Sequence, residues 1–389
     1  MSIRTLLLYL IGDRQAILTI AGDRRALWVG LMFVLSAGFA REYDGQDLLH
    51  EPWHVLLPLG ASLLISFLLF TYLYWEVTPK GGTRPRFFTA YRSFLALFWM
   101  TAPVAWLYAV PYERFLSPSG ATTANLLTLG IVAVWRVTLM VRVASVLMGY
   151  PTWTAFFRVM LFADVVTILA YVFVVLPLLL PFMAGVRIPE GQLLAMSITN
   201  NVATSAFVSL PFWIIGYLWT NSRGARWTWQ LPQEAHDRVS PSSRGIWALG
   251  FSSLAIWVFV LPWTQPEQML RHRVETDLKA GRIAEALETM SAHTPADFPP
   301  FWEPPLWISL LYFQPHIMDV MPVVVEKPPA PWVREHFLRK FGEFLEYYGL
   351  RSPRGGDGTE VVQILSQLPE GPALAAEHQA RIRETMEYS

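Results

Sequence analysis

Apolar residues fill the first two thirds of the chain in long runs, and arginine and lysine gather in every second connection between them. A helix that crosses the hydrocarbon core of a bilayer needs about 20 mostly apolar residues, or somewhat fewer where flanking cations snorkel. On that measure the pattern predicts seven spans, at residues 25–41, 53–75, 89–110, 123–147, 156–183, 193–219 and 245–263. The fold class expected is all-α: a polytopic transmembrane helical bundle followed by a soluble, mostly helical C-terminal domain.

Charge in the connections orients the bundle. Arg14, Arg24 and Arg25 precede span one, and Lys80, Arg84 and Arg86 lie between spans two and three. Arg158 begins span five, while Arg223, Arg226, Arg238 and Arg244 lie between spans six and seven. The alternate connections are poor in cations, and Glu42–Pro52 is acidic. The positive-inside rule then places the N-terminus in the cytoplasm and, after seven crossings, the C-terminus outside. The localisation expected is a plasma membrane of the bacterial inner-membrane type. Trp28, Trp53, Trp75, Trp219, Trp247 and Trp263 fall near span ends, as an aromatic belt requires.

Outside the spans, residues 1–24 are expected to form a cytoplasmic interfacial helix. Leu6, Leu7, Leu10, Ile17 and Ile20 would face acyl chains, and Arg4, Asp13 and Arg14 would face water. A frayed terminus is the alternative. Residues 264–389 turn polar and are expected to form the extracytoplasmic domain. A helical hairpin is predicted about Ala280-Gly281, with Val274, Leu278, Ile283, Ala286 and Leu287 at helical spacing. A polyproline-like connector spans Phe298–Pro305, and Trp332–Tyr348 is amphipathic through Val333, Phe337, Phe341 and Leu345. A turn at Pro353–Gly358 and helices at 359–368 and 371–387 complete it. The stretch 307–325 is apolar enough for an eighth span, but Pro315, His316, Asp319 and Pro322 argue for a core helix instead.

Composition narrows the chemistry. The chain is 53% hydrophobic and 15% charged, against about 25% charged in a soluble domain. Formal net charge is zero, which gives no case for a nucleic-acid partner. The absence of cysteine excludes disulfides, thiolate metal sites and Cys nucleophiles. The partners expected are the lipid bilayer and, for the C-terminal domain, another protein; the basic Asn221–Arg244 segment, with Trp227 and Trp229, would rest on anionic headgroups.

Three groups of residues invite a functional reading. His50-Glu51-Pro52-Trp53-His54 spells H-E-x-x-H, but Pro52 removes a donor and pushes Glu51 out of helical conformation, so the two histidines lose their shared helical face. His50 and His54 are therefore weak metal candidates, and no cofactor is expected. Arg136, Arg142 and Asp164 lie within spans four and five, where charge is costly unless paired. Reflection through the turn near Tyr150 puts Asp164 and Arg142 at similar depth and predicts an ion pair, either structural or part of a relay. Span six carries a polar stripe of Ser197, Asn201, Ser205 and Ser209, with Asn200 and Thr204 beside it. It reads as helix–helix packing or as the lining of a hydrated path, with Pro211 marking a broken helix in the second case. With no phosphate loop or nucleophile elbow, the function expected is a non-enzymatic scaffold, assembly or sensing component. A transporter or channel using the stripe and the Arg142/Asp164 pair is the alternative.

Overall fold

A computed structural model describes residues 1–77, 85–175, 190–222, 227–231, 243–306, 315–348 and 359–376. Among these residues the secondary structure is helical and contains no strand. Six helical stretches are long and apolar enough to cross a membrane: Pro52–Trp75, Phe87–Arg114, Pro118–Met148, Thr152–Phe173, Leu194–Ser222 and Arg244–Lys279.

The chain divides into two compact units, the first comprising Met1–Val175 with Glu190–Gln265 and the second including the chain from Pro266 onward. The first opens with two short helices, α1 (Ile3–Leu10) and α2 (Arg14–Ala21). One continuous interfacial helix is not what forms. Gly12 adopts φ 81°, and the Asp13 carboxylate caps α2 by accepting from the Ala16 N–H at 2.8 Å. Leu6, Ile17 and Ile20 are buried in the core of the unit rather than turned to lipid; Leu7 is exposed. The pair is pinned inward by two hydrogen bonds: Tyr9 Oη donates to the Leu97 carbonyl at 2.6 Å in the core, and Arg142 Nε donates to the Gly12 carbonyl at 2.9 Å in a partly buried position.

Helix α3 (Ala26–Glu42) is the centre of this unit, with Ala26, Val29, Phe33 and Ala40 fully buried. Small residues let its neighbours approach: a Cβ on Gly30 would lie 2.9 Å from Trp99 Cβ, and one on Gly38 2.6 Å from the Val55 carbonyl. A 3-10 turn at Pro52–Val55 leads into α4 (Leu56–Trp75). Helix α5 (Phe87–Trp99) passes into a 3-10 segment at Ala102–Ala109, where Pro103 has no N–H for an α-helical bond. Helix α6 (Pro118–Met148) is capped by the Ser117 hydroxyl, starts on proline and stops at Gly149, which is left-handed at φ 67°. Helices α7 (Thr152–Ala170) and α8 (Glu190–Ser222) pack together; α8 runs continuously through Pro211. The broken helix considered for that proline does not form: the helix continues past the one backbone bond the proline removes. Helix α9 (Arg244–Lys279) carries the chain into the second unit. Its first half is stitched to α3: Ser36 Oγ donates to the Ser253 carbonyl, and Trp257 Nε1 to Ser36 Oγ.

In the second unit, α9 turns at Gly281 (φ 75°) into α10 (Ile283–Ser291), so the predicted hairpin stands. Helix α11 (Ile317–Glu326) begins at a His316 cap, where Asp319 reaches back to the His316 N–H at 3.0 Å. It is ten residues long, too short to span, and its Ile317, Val320, Met321 and Val324 are core; residues 307–314 lie outside the described set. Helix α12 (Pro331–Tyr348) buries Val333, Phe337, Phe341, Phe344 and Leu345 on one face. Each such side chain contributes about 1.5–3 kcal/mol of apolar burial. Helix α13 (Thr359–Gln367) and a further turn at 371–376 close the core. The turn expected at Pro353–Gly358 and residues 377–387 fall outside the described residues.

Candidate functional site

Charge inside the apolar helices is the feature that asks for explanation. Arg158, in the second turn of α7, is fully sequestered from solvent. Its partner is Glu76, just past the end of α4, whose carboxylate accepts from Arg158 Nε. Arg158 Nη1 donates to Thr220 Oγ1 at 3.1 Å and to the Thr154 carbonyl at 3.4 Å. Three rings enclose the guanidinium: Tyr150, Tyr217 and Trp227 have centroids 5.1, 5.0 and 5.9 Å from Cζ. Arg158 Nη2, Glu76 Oε1 and Tyr72 Oη are buried without a hydrogen-bond partner among the described residues. The cluster thus leaves one donor, one acceptor and one phenol unsatisfied among the described residues, a costly arrangement in a buried site.

The sequence offered Arg158 only as an orienting cation and passed over its partners. They come from four other segments, and none shares a local pattern with α7. Trp227 and Trp229 were expected on lipid headgroups. Instead Trp227 is buried against Arg158, and Trp229 meets the ring of Phe70. Gln230 N donates to the Leu147 carbonyl at 2.8 Å, which draws this segment inward.

Asp164 and the arginines of α6 are arranged otherwise than the hairpin reflection predicts. Asp164 accepts from Ser209 Oγ of α8 at 2.5 Å, and it forms no ion pair among the described residues. Arg142 is taken by the Gly12 carbonyl, and Arg136 Nε donates to Thr101 Oγ1 at 3.1 Å with its Cζ 5.1 Å from the Phe98 ring. The Arg142/Asp164 pair is therefore corrected. Reflection through a turn fixes depth, but not the direction a side chain leaves its helix, and Asp164 leaves toward α8.

The stripe on α8 meets α7 and the turn after it near each of its ends. Ser209 reaches Asp164, and Asn200 Oδ1 accepts from Tyr171 Oη at 3.0 Å. Ser197, Asn201, Thr204 and Ser205 are exposed, with Ser205 Oγ returned to the Asn201 carbonyl at 2.7 Å. Ala203 and Ala206 are the buried residues of this stretch.

At the H-E-x-x-H segment, Pro52 opens a 3-10 turn and Glu51 stays outside it at φ −124°, ψ 59°. The histidines turn to different carboxylates: His50 Nδ1 lies 2.7 Å from Asp47 Oδ2, and His54 Nε2 lies 3.4 Å from Glu51 Oε2. No group of three or more His, Asp or Glu suited to a metal ion occurs among the described residues.

In the second unit Glu303 forms a node with α12, receiving Arg339 Nη2 at 2.7 Å and Lys340 Nζ at 3.0 Å. Burial acts to raise the Glu303 pKa, but the hydrogen bonds and charges of Lys340 and Arg339 hold it below the usual glutamate range. Beside them, His336 is pushed down to about 4, chiefly by burial and further by Arg339 and Lys340, with Glu303 opposing. Comparison of the chain with protein-family models, curated proteins and solved structures finds no match.

Proposed function

We propose that this chain is a multi-pass protein of the plasma membrane, of the bacterial inner-membrane type, acting as a non-enzymatic scaffold, assembly or sensing component. In this reading α3 is a seventh, short span, the N-terminus is cytoplasmic, and the second unit is a soluble extracytoplasmic domain. The observation that carries the scaffold reading is how the costly groups of the apolar helices are used. Arg158 is engaged with Glu76, Asp164 with Ser209, and Arg142 with the Gly12 carbonyl, so each ties its helix to a separate segment of the unit. Such pairing favours a rigid platform over a mobile carrier. The second unit would then be the part presented to a protein partner.

The test is site-specific photocrosslinking in cells from exposed positions of that unit, Phe301 and Val362. One discrete adduct recurring from both positions is expected. It should disappear when the α12 core is broken by Phe337→Asp. A second reading, transport, draws on the contact between Asp164 and the polar stripe. Proton flux in proteoliposomes that Asp164→Asn abolishes, with no crosslinked adduct, would replace the scaffold by a carrier.

A further inference from the structure

Arg136 presents a problem that its contacts do not solve. It is the nineteenth residue of the 31-residue helix α6, about 27 Å along an axis of about 46 Å. If α6 spans a bilayer, that is near the middle, where an uncompensated guanidinium costs several kcal/mol. Its Nε is satisfied by Thr101 Oγ1 and its face by Phe98, but neither terminal nitrogen has a partner among the described residues, and no carboxylate pairs with it. Arg136 is half-buried, so part of the group is open.

What it opens onto is a cleft of about 370 Å³ between α4, α6 and α7. That volume falls within the range of about 300–1,000 Å³ typical of small-ligand sites. The walls are apolar, with Ile65, Leu69, Val137, Met140, Phe162 and Val166 among them. The polar lining is limited to Arg136, Arg41 and Ser62, and the Ser62 hydroxyl already receives Trp99 Nε1 at 3.0 Å. Arg41 is exposed, with Glu42 its neighbour at 3.5 Å. The two cations give the cleft a positive character, and no acidic residue lines it.

We propose that this cleft binds an acyl lipid with a singly charged anionic head, the head hydrogen-bonded by the terminal nitrogens of Arg136 and the chain lying along the apolar walls. A carboxylate or phosphodiester oxygen pair, each carrying one negative charge, matches the planar donor fork of arginine, and the contact gains strength in a low-dielectric cleft. The chain supplies apolar area that an inorganic anion lacks. This goes beyond a scaffold, since it gives the membrane unit a lipid ligand. It rests on the membrane-spanning reading, yet the two fail separately: topology is read by side-specific labelling, binding by competition.

The probe is a long-chain fatty acid carrying a diazirine, photolysed on the purified full-length protein in phosphatidylcholine nanodiscs. Adducts are mapped by mass spectrometry. The expected result is labelling at Val137, Phe162 or Val166, with oleate competing about tenfold better than oleyl alcohol, the discrimination one charge-assisted contact gives. Arg136→Gln should remove the discrimination and Arg136→Lys should keep part of it. Should Arg136→Gln fail to fold, Ala133→Phe, which fills the cleft and spares the charge, should abolish labelling. Equal competition by oleate and oleyl alcohol would overturn the anionic ligand and leave a merely apolar groove. Competition by inorganic phosphate as strong as by oleate would overturn the lipid in favour of a free anion. Labelling at the cleft unaffected by Ala133→Phe would overturn the site.

Discussion

At the scale of single residues, the partners of the intramembrane charges are the sharpest claims. Asp164 is held by Ser209, so Asp164→Ala and Ser209→Ala should share one loss. A double-mutant cycle on thermal stability in detergent is expected to show coupling of about 0.5–2 kcal/mol between them. Coupling between Asp164 and Arg142 should be near zero; the reverse pattern would restore the pair that the hairpin reflection suggests. That an acid lies inside the apolar helix α7 was legible in the sequence. Its facing was not, because a rotation of about 100° per residue lets a small error in phase choose another neighbour. His336 offers a pH test. Its folded value of about 4 lies below its ordinary 6.5, so between those limits the unfolded chain binds a proton that the folded unit refuses. Stability should therefore rise with pH across this window and fall as pH drops through it. Glu303 acts lower, its contribution present above 4.5 and lost as pH falls through its depressed value. Melting of the second unit followed from pH 7 to 4 should steepen in wild type and flatten in His336→Gln; equal slopes would exclude His336 as the cause.

At the scale of elements, backbone punctuation decides where helices turn. Gly281 joins α9 to α10 at φ 75°, and a Cβ there would meet nothing within 4 Å. The cost of Gly281→Ala is then purely conformational, about 1 kcal/mol, and Gly281→Asn should cost less because Asn tolerates the left-handed region. Urea or thermal unfolding of the two variants checks the order, and an alanine variant as stable as wild type would mean the turn relaxes. This hairpin was legible because the apolar spacing halts on both sides of Ala280-Gly281. The face of α12 was legible for the same reason: Val333, Phe337, Phe341 and Leu345 recur at helical period, and all four are buried. The break at Gly12-Asp13 was present as a glycine followed by an N-cap residue, yet the amphipathic pattern around it suggested one lipid-facing helix. Tertiary contact decided otherwise, since Tyr9 fastens α1 to α5 and Arg142 fastens the break itself to α6. The Arg158 cluster was legible only in retrospect: Glu76 is 82 positions away and Thr220 is 62, beyond the reach of any periodicity.

At the scale of the whole molecule, everything turns on whether α3 crosses the membrane. Its 17 residues span about 25 Å, a few ångströms short of a hydrocarbon core of about 30 Å, and Arg25 and Arg41 stand at its ends. Snorkelling cations and local thinning can close such a gap at modest cost. Crossing parity makes the question measurable. With the N-terminus held in the cytoplasm, seven spans including α3 place both the 43–51 connection and Ser389 outside, and six spans without it leave both in the cytoplasm. The chain has no cysteine, so single reporters can be introduced on a silent background. Leu49, which is 62% exposed, and Ser389 are suitable positions. Leu49→Cys and Ser389→Cys are both expected to react with a membrane-impermeant maleimide on intact cells. Protection of both would remove α3 from the membrane and return the second unit to the cytoplasm. Labelling of Leu49→Cys alone would demand an eighth crossing after α9. The stretch around 307–325 would have to supply it, against the His316 cap and the short buried helix α11 that begins there.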